Sequence, residues 1–185
     1  KAFYAQVVAG FLLAAALADA AGAPGSDDRA ALLRGLRRLP AAMTEVLGLR
    51  EHIGVLADRH APGRRHWAVV GSGANLIAAR EIRIKLSELC YKSISADATE
   101  DKKHIDLSAE PLILVCAAGL VGSTADDVAK EVAIYRAHKA ATVVVTDSDS
   151  GRYTEALDIV TVPRIHPRLA FILATMVRHL FGYEA

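Results

Sequence analysis

The pattern of apolar and polar positions changes its period near residue 63. Residues 2–21 are almost entirely apolar, and Leu32, Leu33, Leu36 and Leu39 then recur at helical spacing. Pro40 interrupts that spacing, and segments rich in glycine and proline break the pattern at 22–25, before it, and at 62–63, after it. The pattern therefore predicts three or four helices over residues 1–63, with an end at Pro40.

After residue 63, short continuous apolar runs alternate with helical segments. These runs predict strands at 67–70, 112–116, 142–146 and 159–162, and residues 92–98 are predicted to form a fifth strand. The segments between and after them predict helices over 74–91, 123–138 and from Pro167 to about Phe181. Continuous apolar strands between helices are typical of a parallel sheet covered on both faces. We therefore predict an α/β fold, a three-layer α/β/α sandwich with a five-stranded, mostly parallel sheet over 64–185, preceded by a helical segment over 1–63.

The apolar segment 2–21 is long enough to suggest a membrane span or a signal peptide. Gln6, Asp19 and the dominance of alanine argue against a span, because alanine is only weakly hydrophobic. A helix of this kind is also typical of one buried between packed domains or subunits. We favour the buried helix and predict no membrane association.

Composition and charge narrow the possible functions. The 185 residues are 52% hydrophobic, and Lys plus Arg is 22 against 21 for Asp plus Glu, which gives a net charge of +1. The hydrophobic content excludes a disordered chain, and the charge balance gives no electrostatic argument for binding nucleic acid. The two cysteines, Cys90 and Cys116, lie in no CxxC motif and are interpreted as buried reduced thiols of a cytoplasmic protein. The histidines show no metal-ligand spacing, so we predict no metal and no cofactor.

Ligands of parallel sheets bind at the carboxyl ends of the strands. Gly71-Ser72-Gly73 joins a predicted strand to a helix N-terminus, where glycine lets a backbone approach an anion. Leu76 replaces the third glycine of a dinucleotide fingerprint, and no Gly-Lys-Ser/Thr follows, so the segment is neither that motif nor a P-loop. A turn with a purely structural role remains the alternative. Segments 117–124 and 146–151 are expected at the same edge.

Glu81, Lys85 and Glu88 are spaced i, i+4 and i+7 along the predicted helix 74–91. At 100° per residue they fall within about 60° of one another, on a stripe away from the apolar face formed by Ala79, Ile82, Leu86, Leu89 and Cys90. The stripe is free to face a cleft or another subunit, and a solvated Glu–Lys pair is the alternative.

His104 lies in the polar loop 100–104, between two predicted strands. A histidine near neutral pH can transfer the protons that open and close a sugar ring. A solvated loop histidine is the alternative interpretation.

The run from Glu81 to Tyr91, followed by Lys103, His104 and Leu107, resembles the second sugar-isomerase (SIS) domain of the glucosamine-6-phosphate synthase family. That family carries a Glu-x-x-x-Lys-Leu-x-Glu-x-x-Tyr helix and a later Lys-His-Gly-Pro-Leu loop. Residues 1–3 are similar to the end of the family's first SIS domain, and 36–66 to its inter-domain connection. The resemblance implies a fragment of a larger cytoplasmic, homodimeric enzyme, preceded by another SIS domain and a glutamine amidotransferase domain.

The resemblance also implies roles for single residues. Glu88 corresponds to the glutamate that moves a proton between C1 and C2 of fructose 6-phosphate. Lys85 corresponds to the lysine that assists and stabilises the enediol charge. His104 corresponds to a histidine for ring opening that reaches a neighbouring subunit's site. Further candidates for substrate binding are Glu81, Gly71, Ser72, Gly73 and Lys103.

Some family features differ here. His104-Ile105-Asp106 replaces His-Gly-Pro, and Glu81-Ile82-Arg83 replaces Glu-Gly-Ala. The family's C-terminal lysine, phosphate cradle and N-terminal cysteine have no counterpart in this chain, which is expected not to make glucosamine 6-phosphate alone. Two alternatives remain open: another SIS phosphosugar isomerase or deglycase, and a non-catalytic SIS module that binds a phosphosugar.

Overall fold

The computed structural model describes residues 2–104, 110–148 and 150–185. Within these ranges the chain forms six α-helices, five strands and two short 3-10 helices, at Lys102–His104 and Ser150–Tyr153. The helices are α1 Ala2–Ala20, α2 Ser26–Leu47, α3 Arg50–His60, α4 Ala74–Cys90, α5 Gly122–Ala137 and α6 Pro167–Glu184. The strands are β1 Trp67–Gly71, β2 Ile94–Asp97, β3 Leu112–Cys116, β4 Ala141–Thr146 and β5 Asp158–Thr161.

The five strands form one sheet in the order β2-β1-β3-β4-β5. Each neighbouring pair is parallel, for example with Val70 opposite Val115 and Val145 opposite Val160. The chain leaves β1 for one edge and β3 for the other, so the strand order reverses between these two strands. This reversal creates the crevice where ligands bind in sheets of this kind. The predicted α/β class is confirmed.

Alternate residues of each strand face opposite helical layers, as the two-residue period of a strand requires. Val69, Leu114 and Val143 belong to the core that the sheet shares with α2, α3, α4 and α6. Val70 and Val115 belong to a second core on the other face, which α5 covers with the side chains of Val128, Val132 and Tyr135. The predicted three layers are therefore present, and α4 and α5 lie on opposite faces of the sheet.

The sequence predicts a helix end at Pro40, but helix α2 continues through this residue. Leu39, Ala42 and Val46 are buried in the core on the side of α2 that packs against α6, while Pro40 is exposed. Tertiary packing of an apolar stripe contributes more to helix stability than one backbone hydrogen bond does. The burial of these side chains therefore outweighs the missing N–H of the proline.

Replacing Pro40 with alanine is expected to stabilise the protein. The substitution restores a helix-forming residue and a backbone donor, and should raise the free energy of unfolding by about 1–3 kcal/mol in urea titrations. A matched Ala41→Gly variant, at the next exposed position, should lower it by about 1 kcal/mol. A loss of stability in Pro40→Ala would mean that the proline shapes α2 for its packing on α6.

Only one stripe of helix α1 packs against the rest of the chain. Phe3, Tyr4, Val7, Val8 and Phe11 contact the main core. On the rest of the helix Leu12, Leu13 and Leu17 are exposed, and Ala15 is its one buried residue among those described.

The chain by itself thus leaves most of α1 uncovered, and its burial against another domain or subunit stays a prediction. Among the described residues, α1 is also the one helix with the length and apolarity of a membrane span. This is weak evidence, since core helices and signal sequences have the same properties.

Candidate functional site

The turn after β1 needs its two glycines for different reasons. A Cβ on Gly71 would lie 2.4 Å from the carbonyl oxygen of Asn75, inside the first turn of α4. Gly73 has a φ of 57°, which side chains other than hydrogen rarely allow. Between them, the Ser72 hydroxyl donates to Thr99 Oγ1 at 3.0 Å. The turn is therefore shaped by packing and links the ends of β1 and β2.

A cavity of about 400 Å³ opens at this carboxyl edge, beside the reversal of strand order. It is lined by Ser72, Thr99, Glu100, Thr124, Asp127, Val128, Lys130 and Glu131. The described residues of segments 117–124 and 146–151 also lie at this edge, where the Gly119 N–H donates to Asp147 Oδ1 at 2.7 Å. The predicted position of these segments agrees with the structure.

The charges of the cavity lining are mostly negative and partly paired. Lys130 lies 3.1 Å from Asp127, and Lys103 forms a salt bridge with Glu131 on α5. The second carboxylate oxygen of Glu131 is buried and has no hydrogen-bond partner among the described residues. Lys103, predicted to bind substrate, is thus engaged by a carboxylate. Glu131 carries no sequence signal of its own, because it lies within an ordinary helical pattern.

Glu81, Lys85 and Glu88 lie together on α4, as the spacing predicts. The Lys85 ammonium donates to Glu88 Oε2 at 2.9 Å, and their side chains are 44% and 60% exposed. This hydrogen bond and the carboxylate charge raise the pKa of Lys85, so the lysine stays cationic. Ala79, Ile82 and Leu86 are buried against the core, whereas Leu89, predicted to face the sheet, is half exposed.

The structure adds two residues to this stripe. Glu81 Oε1 lies 3.8 Å from Nε2 of His179 on α6, and His179 Nδ1 shares a 2.7 Å hydrogen bond with the hydroxyl of Tyr4 on α1. In the sequence His179 is one of several scattered histidines and Tyr4 is part of an apolar run. Neither position shows a spacing that points to Glu81.

His104 lies apart from the α4 stripe within one chain. It belongs to the 3-10 helix Lys102–His104, which packs against α5, on the opposite face of the sheet from α4. Across the described ranges, no hydrogen bond or ion pair joins His104 to Lys85 or Glu88. The altered loop positions Ile105 and Asp106, and also Leu107, lie outside the described residues.

The two cysteines differ in burial. Cys116 is fully buried, and burial raises the pKa of its thiol to about 11. Cys90 is only half-buried, whereas the sequence predicts a buried thiol, and this partial burial raises its pKa as well. Both are free thiols. In the part of the chain that the structure describes, no group of three His, Cys, Asp or Glu side chains could hold a metal ion.

Sequence comparison relates the chain to one enzyme over its whole length. It is 30% identical over 190 residues to the glutamine–fructose-6-phosphate aminotransferase (isomerizing) of Thermus thermophilus, covering all of this chain and 31% of that protein. The corresponding protein of Bordetella pertussis is also 30% identical, over 189 residues and 30% of its length. The chain is thus similar, over its whole length, to about a third of these glutamine–fructose-6-phosphate aminotransferases. No protein-family model matches it.

Solved structures agree on the fold of this SIS chain. The C-terminal domain of glucosamine-fructose-6-phosphate aminotransferase from Francisella tularensis superposes with a TM-score of 0.89 at 18% identity, over all of this chain and 52% of that one. Tagatose-6-phosphate ketose/aldose isomerase from Escherichia coli superposes with a TM-score of 0.54 at 18% identity, over 65% of this chain and 35% of that one. These similarities confirm the SIS fold, and the chain spans about 30% of the length of its curated relatives.

Proposed function

We propose that this SIS chain is the isomerase part of a longer enzyme that acts on fructose 6-phosphate or a close phosphosugar. The observation that carries the proposal is the Lys85–Glu88 pair on the exposed side of α4. It occurs in a chain similar throughout to aminotransferases whose names include isomerisation. The longer protein would be a cytoplasmic homodimer with another SIS domain and a glutamine amidotransferase domain, and would serve amino-sugar synthesis.

Each residue of the α4 stripe has a chemical task in this proposal. Glu88 takes the proton from C1 of the open-chain ketose and returns it to C2, since a carboxylate can hold and release the same proton. Lys85 stays cationic beside it and stabilises the negative charge that develops on the enediol oxygen. Glu81 lines the same side and binds a sugar hydroxyl.

His104 opens the sugar ring from a second copy of the chain. Its 3-10 helix is held on the α5 side by contacts with α5 and by the Lys103–Glu131 salt bridge. A site shared across a subunit boundary is supported by the placement of α4 and α5 on opposite faces of the sheet, and by the lack of any hydrogen bond or ion pair between His104 and Lys85 or Glu88 among the described residues.

A non-catalytic phosphosugar-binding module is the second candidate, favoured by the cavity at the strand-order reversal. Ser72, Thr99 and Thr124 offer hydroxyl groups there, and the carboxylates of Glu100 and Asp127 can accept hydrogen bonds from sugar hydroxyls. In this case the ligand would bind beside β1 and not at α4.

The deciding experiment incubates the full-length protein with fructose 6-phosphate in deuterated water. Formation of glucose 6-phosphate with deuterium at C2 is expected for isomerisation. Calorimetric binding of fructose 6-phosphate without any exchange would replace the catalytic proposal with the binding module.

Mixed subunits test the placement of His104. Glu88→Gln and His104→Asn subunits should each be inactive alone, and co-expression should restore about a quarter of the wild-type rate, because half of randomly paired dimers contain one intact site. No recovery in dimers shown by mass spectrometry to be mixed would contradict a role for His104 across the boundary.

A further inference from the structure

A line of polar side chains runs from α1 through α6 to α4. Tyr4 Oη and His179 Nδ1 lie 2.7 Å apart, and the opposite ring nitrogen of His179 lies 3.8 Å from Glu81 Oε1. Glu81 in turn acts electrostatically on Lys85, which pairs with Glu88. The line therefore connects helix α1 with the proposed catalytic pair.

The His179 ring is held in a fixed orientation. Phe3 and Tyr4 meet it edge to face, with ring centroids 6.4 and 5.8 Å away. Its Nε2 atom is buried and has no hydrogen-bond partner among the described residues. An orphaned buried nitrogen is uncommon and calls for a physical reason.

The surroundings select one protonation state of this ring. Burial, and then the charge of Lys85, lower the pKa of His179 to about 4, so the ring is neutral near pH 7. Burial and the charge of Glu81 raise the pKa of Tyr4, so its hydroxyl keeps its proton. A neutral ring carries one proton, and a bare Nε2 would direct its lone pair at the Glu81 carboxylate. The proton therefore belongs on Nε2, and Nδ1 accepts the hydrogen bond from Tyr4.

We propose that His179 is a positioning residue for Glu81, with Tyr4 fixing the tautomer that directs the Nε2–H at the Glu81 carboxylate. The effect of His179 on turnover rests on the proposed function, whereas the tautomer of its ring is independent of that function. A shift of less than about 1 Å would turn the 3.8 Å approach into a full hydrogen bond. Helix α1 thereby acts on the substrate side of α4 through α6.

The tautomer can be measured directly by long-range ¹H–¹⁵N correlation on the ¹⁵N-labelled protein. His179→Gln identifies the signals of His179 by their loss. In the wild type, Nε2 should be protonated and Nδ1 should resonate as an unprotonated nitrogen. Tyr4→Phe keeps the ring contacts but removes the donor, and should move a measurable population to the Nδ1–H tautomer. Exposed His138, at the end of α5, is the internal control and should not change.

Two variants at His179 separate positioning from simple packing. Glutamine can place an N–H where Nε2 lies, whereas asparagine can place one only where Nδ1 lies. We expect His179→Asn to lower kcat/KM by ~10- to 100-fold, and His179→Gln to keep most of the activity.

An Nδ1–H tautomer in the wild type, or equal losses in both His179 variants, would overturn the positioning role. If the protein shows no isomerisation at all while the NMR result holds, the proposed function fails and the assigned tautomer stands.

Discussion

Glu88→Gln is expected to lower the rate of fructose 6-phosphate isomerisation by ~10²- to 10⁴-fold, the usual contribution of a positioned general base. Glutamine has nearly the same shape as glutamate, but its amide cannot accept a proton near neutral pH. Glu88 is 60% exposed and makes its ion pair with Lys85 within one helix, so the fold should not depend on its charge. The measurement is deuterium incorporation from solvent, at saturating substrate.

A matched control for this variant is Glu45→Gln. Glu45 is also an exposed helical glutamate, but it lies on α2 and makes no ion pair among the described residues. It should leave both the rate and KM unchanged. If Glu88→Gln retained more than a tenth of the wild-type rate, a general base would have to be sought elsewhere, first among the carboxylates that line the cavity at the carboxyl edge.

Gly71→Ala is expected to destabilise the fold by about 3 kcal/mol, because the new methyl group would overlap the backbone of α4. The nearest atoms are the carbonyl oxygen and carbon of Asn75, at 2.4 and 2.5 Å. Asn75 cannot move aside easily, since it is buried and its side-chain amide donates to the Ala118 carbonyl at 2.9 Å. Urea unfolding followed by circular dichroism measures the change.

Two other glycines provide controls with different physical causes. Gly73→Ala meets no atom within 4 Å but must adopt a positive φ, which should cost ~1–2 kcal/mol. Gly10→Ala lies in the middle of α1 in open space and should be neutral or stabilising by up to about 1 kcal/mol. Equal effects at Gly71 and Gly10 would show that the tight approach of β1 to α4 does not limit stability.

The strands were predictable because their evidence is local, in the apolar character of a few consecutive residues. The run 112–116 is apolar without a break, and 142–146 carries threonine only at its two ends, a pattern typical of short strands buried on both faces. Their alternate residues then had to face two helical layers. The stripe of Glu81, Lys85 and Glu88 was predictable for the same kind of reason, since it depends on one helix and its period.

Other features were not predictable from local pattern. Pro40 suggests the end of a helix, because proline lacks the backbone N–H that a helix interior uses. The burial of Leu39 and Val46 against α6, which keeps the helix intact, involves a distant segment and cannot be seen in the sequence around Pro40. Cys90 and Leu89 fall on the apolar side of α4 by spacing, yet the helix ends at Cys90, and both side chains are only partly covered. In each case a contact with a distant segment, or the lack of one, decided the outcome.

The α/β class, the five strands and the charged side of α4 follow from local pattern, because helical and strand periods are set by neighbours a few residues apart. The residues that lie beside the charged side of α4 depend on long-range packing. Tyr4 and His179 are 175 positions apart, and they meet Glu81 only because α1 and α6 pack on the same face of the sheet as α4. It likewise decided that His104 lies with α5, since strand order determines the layer on which each connection lies.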